Sequence, residues 1–340
     1  MGKFFKYSEK KLQETPCDLC GSGSYFVLAK KAKGNLSTKT CLCKNCGMIF
    51  LNPRMSKGDY DDYYKNFYRF HRAELKGKGV GEDEGVEANF NGAKKFGKAW
   101  AGEYGKLMLS GLTVDVGSST GGILYGLREA RLDIEILGIE PSLAESQYAE
   151  KMGIKTINCL FEDYKGELGR PVSNIFCVQS LNHLLSPSKF LEWSRDNLGE
   201  GGRLFLAVKD FGFQCRRSGS IESSVQIDHP YMFTPESLKL FVESRGFKIL
   251  RMEVDETKTH REINNQKKNG LNTHHIKIIA EKAPLAGKKL DLAAIGRRIY
   301  RKQRFLFSGL VLRAYYILFY SRFSPANIWR KNEKNERNRK

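Results

Sequence analysis

No stretch of this sequence is apolar for long enough to cross a bilayer. The longest mostly apolar segment, residues 305–320, is broken by Arg313 and is shorter than the ~20 residues a spanning helix needs. The opening Met-Gly-Lys-Phe-Phe-Lys leads into no apolar run with a small-residue cleavage site, so no secretory leader is expected. Cysteine is not spread as in a disulfide framework, because five of the eight lie between Cys17 and Cys46. The expected setting is a reducing cytoplasm, with the inner face of a membrane as a peripheral alternative. Acidic charge is also short: 38 Asp and Glu face 57 Lys and Arg, a net charge of +19. That imbalance is local. The 53 residues from Lys288 to Lys340 hold 15 Lys and Arg against three acids, so the excess belongs mainly to a tail. What remains of the 340 residues is enough for one full α/β domain with smaller appendages.

One more absence is informative. Thr113 to Gly122 reads Thr-Val-Asp-Val-Gly-Ser-Ser-Thr-Gly-Gly, a β-branched run that breaks into a glycine turn before an amphipathic segment, Ile123 to Ala130. This strand, loop and helix start holds nucleotide-type cofactors in open α/β sheets. The dinucleotide fingerprint, with its three closely spaced glycines, is missing. Instead Asp115 stands two residues before Gly117, with Gly121 and Gly122 following. A cofactor with a cationic or amine-bearing group and no phosphate suits that arrangement better.

On these residues, positions 106 to 283 resemble a class I S-adenosylmethionine-dependent methyltransferase, whose Asp/Glu-X-Gly-X-Gly-X-Gly signature falls on Asp115 to Gly121. Ser119 stands where the middle glycine is usual, and its Cβ narrows the approach of backbone to ligand. The resemblance implies a doubly wound, seven-stranded Rossmann-like α/β sheet whose last strand is antiparallel. The later segments arrive in the expected order. Glu135-Ile-Leu-Gly-Ile-Glu140-Pro141 is a buried-type strand ending in an acid, and Glu140, followed by Pro141, is placed to accept both ribose hydroxyls. Near a third strand, Phe161 offers an apolar face to adenine, and Glu162, favoured over Asp163, an acceptor for its amino group. Ser173 to Pro187 reads as the fourth strand and its turn, bringing Gln179, Asn182 and His183 toward the cofactor; Asn182 replaces a Glu common in the family. A glycine turn and fifth strand near 199–209, a helix over 234–245 and a hairpin from 247–254 and 274–282 complete the pattern.

Upstream, Cys17-Asp-Leu-Cys20-Gly and Cys43-Lys-Asn-Cys46-Gly form two Cys-X-X-Cys knuckles with 22 residues between them. Four thiolates predict a closed, structural Zn2+ site in a zinc-ribbon-like module, with Cys41 as a competitor for Cys43. With Met48 to Arg54 and Tyr60 to Tyr64, this resembles a methyltransferase subgroup bearing an N-terminal zinc-binding module, many of whose members are encoded with sugar, surface-polysaccharide or secondary-metabolite pathways. The expected organisation is a zinc module over 1–60, a helical or flexible connector or lid over 61–105, the methyltransferase domain over 106–285 and a basic, aromatic-rich tail over 286–340.

A sulfonium methyl is already electrophilic, so the protein must align an acceptor and, for oxygen, remove a proton. His229 and His183 are the candidate bases. The resemblance favours a small-molecule or glycan acceptor, a sugar hydroxyl or sugar carbon that is lipid- or nucleotide-linked. Two other readings stay open: a ribose-type RNA methyltransferase that holds RNA with its zinc module and basic tail, and a non-catalytic adaptor. RNA is disfavoured in part because no Asn/Asp-Pro-Pro-aromatic turn follows the fourth strand. The tail fits either a helix lying on an anionic membrane surface or one packed on its own domain or in a homodimer.

Overall fold

The structure is a computed structural model, and it describes residues 5–75, 85–131, 133–166, 168–271, 273–283 and 292–320. The chain divides into two compact units. The first is 1–12, 55–208 and 241–290; the second gathers 13–54, 209–240 and 291–340. The expected boundaries at 60, 105 and 285 therefore do not coincide with these units. The cysteine segment shares its unit with two later pieces of chain.

In chain order the strands are β1 (Leu12–Gln13), β2 (Tyr25–Ala32), β3 (Leu36–Cys43), β4 (Ile49–Leu51), β5 (Arg54–Met55), β6 (Gly111–Val116), β7 (Ile134–Ile139), β8 (Thr156–Ile157), β9 (Val172–Val178), β10 (Leu198–Lys209), β11 (Tyr231–Met232), β12 (Phe247–Val254) and β13 (His275–Lys282). The helices are α1 (Lys57–Asn66), α2 (Tyr68–Leu75), α3 (Val86–Tyr104), α4 (Gly122–Ala130), α5 (Leu143–Lys151), α6 (Pro187–Asn197), α7 (Phe211–Ser218), α8 (Pro235–Ser244), α9 (His260–Lys268), α10 (Leu292–Leu306) and α11 (Gly309–Phe319).

The first unit holds a seven-stranded sheet ordered β12-β13-β10-β9-β6-β7-β8. Strands β10, β9, β6, β7 and β8 run parallel, while β12 and β13 pair antiparallel. The expected doubly wound sheet with an antiparallel element is thus present, and its strand order reverses beside β6. Ligands of such sheets bind outside the carboxyl ends of the strands at that reversal.

The central strands β6, β9 and β10 are buried for most of their length, which explains why β6, β7 and β9 read as largely apolar runs. Phe96, Trp100 and Tyr104 of α3 and Leu127 of α4 pack with Phe176, Phe205 and Ile279 of the sheet. Trp100 is fully buried, edge-on to Phe176 and Phe205, which stack on each other at 4.4 Å. Most of the expected connector is regular structure: α1, α2 and α3 occupy its described part, and only 76–84 lie outside the described residues.

Helices α3 and α4 meet through glycines. A Cβ on Gly126 would lie 2.1 Å from the Lys94 carbonyl oxygen, and one on Gly97 would lie 2.2 Å from that of Ile123. Neither neighbour can move without its helix. Replacing Gly126 by Ala gains ~1 kcal/mol of helix propensity, but the backbone clash costs more. A net loss of about 2 kcal/mol is expected in urea unfolding; an unchanged midpoint would show that the helices are not in this contact.

The second unit holds a four-stranded antiparallel sheet, β11-β4-β3-β2. Helix α10 rests on its cysteine end. A Cβ on Gly296 would lie 2.2 Å from the Asn45 carbonyl oxygen, and one on Gly47 would lie 2.5 Å from the Ile299 side chain. Gln303 of α10 is buried and donates to the Thr234 hydroxyl at 2.6 Å. The first part of the expected tail is therefore a helix packed on its own unit. Residues 321–340 lie outside the described residues.

Candidate functional site

At the carboxyl end of β6 the backbone turns through three left-handed residues, Gly117 (φ 76°), Ser119 (φ 51°) and Gly121 (φ 74°). These are the positions of the signature glycines, so the geometry that favours glycine is kept at Ser119 although the residue is not glycine. A non-glycine side chain pays ~1 kcal/mol or more there, and such strain persists where surrounding structure holds it. Two bonds hold Ser119: its N–H donates to Glu140 Oε2 at 2.8 Å, and its Oγ accepts from Asn89 Nδ2 of α3 at 3.2 Å. Gly117 is required for another reason. A Cβ there would lie 2.4 Å from Ser180 Oγ, whose hydroxyl donates to the Gly117 carbonyl at 3.0 Å.

Two carboxylates flank this turn. Asp115 is 1 % exposed, and among the described residues neither of its oxygens has a hydrogen-bond partner. Burial alone pushes its carboxyl well above the ordinary value. Glu140, at the end of the neighbouring β7, is also buried. Its Oε2 accepts from Ser119 N–H and its Oε1 from Ser142 N–H, each at 2.8 Å. Burial, then the nearby Glu145, raise its carboxyl to about 8, against a smaller opposing pull from those two N–H groups. Pro141 follows half-buried, and Asn158 Nδ2 donates to the carbonyls of Glu140 and Pro141 at 2.8 and 3.1 Å.

The raised value fixes a sign. The folded chain keeps a proton on Glu140 that the unfolded chain loses near 4.5, so stability falls as pH rises from about 4.5 through about 8. The ligand-free protein should melt higher at pH 5.5 than at pH 8, and Glu140→Gln should flatten part of that slope. A slope identical to wild type would show that Glu140 ionises freely.

Past β9, Gln179 also takes a left-handed conformation (φ 60°), its N–H donating to the Ala207 carbonyl at 2.7 Å. Asn182 is buried, and His183 beside it is half-buried with Nδ1 3.0 Å from the Tyr64 hydroxyl. Phe161 is buried edge-on against Phe190 and Trp193 at 5.6 and 5.4 Å. Glu162 Oε1 accepts the N–H groups of Leu185 and Ser186 at 2.6 and 3.0 Å, capping the turn before α6. Asp163 is ion-paired with Lys57 at the surface. Of the two acids, Glu162 is thus the one tied to the strand-end loops.

The first unit therefore brings together Asp115, Gly117, Ser119, Gly121, Glu140 and Pro141 around one turn, with Gln179, Asn182 and His183 on the loop after β9. Asn89, Asn158 and Ser180 were not apparent from sequence. Asn89 sits in what reads as connector, and the other two are ordinary polar residues whose role is visible only through their partners.

His229 belongs to the second unit. It is buried, and its imidazole is lowered to about 3 by burial, with Lys209 adding to the effect. The next residues join the cysteine-bearing sheet: the Pro230 carbonyl accepts from Leu51 N–H at 2.9 Å, and Tyr231 pairs with Phe50.

At the other end of that sheet, the Sγ atoms of Cys17, Cys20, Cys43 and Cys46 all lie within 4.8 Å of one another, with Cys17–Cys46 at 3.4 Å and Cys20–Cys43 at 3.5 Å. Metal–sulfur bonds of ~2.3 Å in a tetrahedron imply edges of about 3.8 Å, so the set fits one ion. Each knuckle closes alike. Gly21 N–H donates to the Cys17 carbonyl and Gly47 N–H to that of Cys43, both glycines at positive φ. Cys41 does not compete: its thiol donates to the Asn52 carbonyl at 3.5 Å, away from the set.

Residues 104–252 match the family model described as a methyltransferase domain. This segment is a methyltransferase domain. No curated protein matches the chain. Three solved structures resemble the chain that carries the methyltransferase domain. An S-adenosylmethionine-dependent methyltransferase from Clostridium acetobutylicum is 13% identical, over 56% of this chain and 92% of that one, with a TM-score of 0.43. Magnesium protoporphyrin IX methyltransferase from Synechocystis with bound SAH is 16% identical over 67% and 100%, TM-score 0.45. The plantazolicin methyltransferase BpumL with SAH is 12% identical over 67% and 99%, TM-score 0.43.

Proposed function

We propose that the methyltransferase domain transfers a methyl group from S-adenosylmethionine to an oxygen of a small-molecule or glycan acceptor, with a sugar hydroxyl favoured. The observation that carries the cofactor assignment is Asp115, a buried carboxylate with no protein partner among the described residues, at the mouth of the glycine turn. A cationic amine satisfies such a group; a phosphate would meet repulsion. Glu140, with each oxygen already taking one backbone N–H, has in its ionised form a second lone pair on each for ribose hydroxyls. Glu162, whose Oε1 is taken by two backbone N–H groups, would offer its Oε2 to the adenine amino group, with Phe161, Gln179 and Asn182 as the other residues that would hold the base. When bound, the cofactor supplies an electrophilic sulfonium methyl.

What the protein adds is alignment and proton removal. Of the two histidines, His183 is the base in this reading. The tautomer that donates from Nδ1 to the Tyr64 oxygen gives Nε2 the lone pair that takes a hydroxyl proton. His229, held neutral with its imidazole at about 3, is too weak a base near neutral pH and suits a hydrogen-bonding role. His183→Ala is expected to lower turnover at least ~100-fold with cofactor affinity within a few-fold of wild type. Turnover within a few-fold of wild type would remove His183 as base and leave a carbon or unassisted acceptor.

The four cysteines, on this reading, hold one structural Zn2+ that leaves no position open to water. Since β11 and Pro230 are paired to the same sheet, the metal supports the Asp228–Tyr231 segment as well as its own loops.

A further inference from the structure

We propose that the C-terminal helical pair is a docking surface for an anionic lipid bilayer. Among the described residues, helix α11 meets its unit along the side that faces α7. Leu312 is buried there, the Tyr316 ring covers Gly219, and Arg216 of α7 lies over the Tyr315 ring at 5.6 Å. The opposite side presents exposed apolar side chains. Leu310 is 86% exposed, Ile317 55% and Leu318 50%, and these positions, with Ala314, recur at helical spacing i, i+4, i+7 and i+8. Arg313, also exposed, falls on the same side one turn from Leu310.

Helix α10 repeats the arrangement with more charge. Phe305 is 67% exposed, and Arg301 and Arg297 precede it by one and two turns on the same exposed stripe. Among the described residues, neither arginine nor the adjacent Arg298 has an acidic partner, whereas Lys302 pairs with Glu236 and Arg304 lies over the Phe26 ring at 4.5 Å. Aliphatic side chains flanked by arginines with long stems suit the boundary between acyl chains and anionic headgroups. No helix among the described residues is long and apolar enough to cross a membrane, so the contact is peripheral.

Charge complementarity selects this occupant. A second copy of the chain would bring a like, strongly positive tail against this one, and a nucleic-acid backbone would leave Leu310, Ile317 and Leu318 without use.

The test is flotation of the full-length protein with vesicles of phosphatidylcholine alone or mixed with phosphatidylglycerol, at low and high salt. Binding is expected on the anionic vesicles only, weakening with salt. I317E/L318E should reduce it at least tenfold, as should R297E/R301E, each lost cation costing roughly fivefold in partitioning. Unchanged melting temperature and mass shift with S-adenosylhomocysteine in these variants show that the fold is intact. Several results would overturn the proposal: no flotation of the wild type, equal flotation on neutral vesicles, or variants that bind as the wild type does. So would a two-chain mass in light scattering that I317E/L318E reduces to one, or a salt-sensitive RNA shift in place of vesicle binding. The readout does not depend on methyl transfer, so it stands or falls apart from the acceptor assignment.

Discussion

Replacing Asp115 by asparagine is expected to stabilise the ligand-free protein and to abolish most of its affinity for S-adenosylhomocysteine. The two effects have one cause. In the ligand-free fold the carboxyl is buried and among the described residues meets no donor, so at neutral pH it is either ionised in a poor environment or protonated at a cost. Asparagine removes the ionisable group at nearly the same volume, and relief of about 1–3 kcal/mol is expected at pH 8, read as a higher melting temperature. The same substitution removes the charge that pairs with the cofactor's amine. Losing one partner of a buried charged pair costs about 2–4 kcal/mol, roughly 30- to 1000-fold in affinity. Differential scanning fluorimetry and calorimetry on the same sample measure both. If the variant melted lower and bound as the wild type does, Asp115 would be a structural residue with a partner in solution.

Loss of the metal should be the largest effect on the fold. One zinc per chain is expected by elemental mass spectrometry. Binding in four-thiolate peptide sites contributes about 10–16 kcal/mol, as much as the whole stability of an ordinary domain. In this protein the consequence extends beyond the knuckles, because α10 is seated on Asn45 and Cys46 and β11 extends the same sheet. Cys46→Ser should lose the metal and expose the chain around α10 to limited proteolysis. Affinity for S-adenosylhomocysteine should remain within a few-fold, since Asp115 and Glu140 lie in the other unit. A metal-free wild-type protein with a protease-resistant C-terminus would remove the zinc assignment.

The sheet was legible because its central strands are buried and announce themselves as largely apolar runs ending in an acid or a glycine turn. Glu140 illustrates this: a strand end plus a carboxylate sufficed to single it out, and its contact with the Ser119 N–H is visible only in the structure. The knuckles were legible for a similar reason, since ligand spacing and a following glycine are local properties of the chain. What the sequence hid is set by contacts distant along it. Asn89 bonds the hydroxyl of Ser119 from a helix that reads as connector, and Glu162 is turned to Leu185 and Ser186 by backbone groups that sequence cannot locate. The union of 13–54 with 209–240 and 291–340 was equally hidden, because β11 is only two residues long and α10 joins through the absence of side chains at Gly47 and Gly296. His229 shows the limit of residue type as a guide: a histidine suits base chemistry by its ordinary titration, but burial moves this one out of range.

The most direct measurement is isothermal titration of the purified, zinc-replete protein with S-adenosylhomocysteine at pH 8. Two carboxylates at the ends of β6 and β7 predict a 1:1 association with a measurable heat and a raised melting temperature. Neither heat nor thermal shift at millimolar nucleoside would contradict the account at its base.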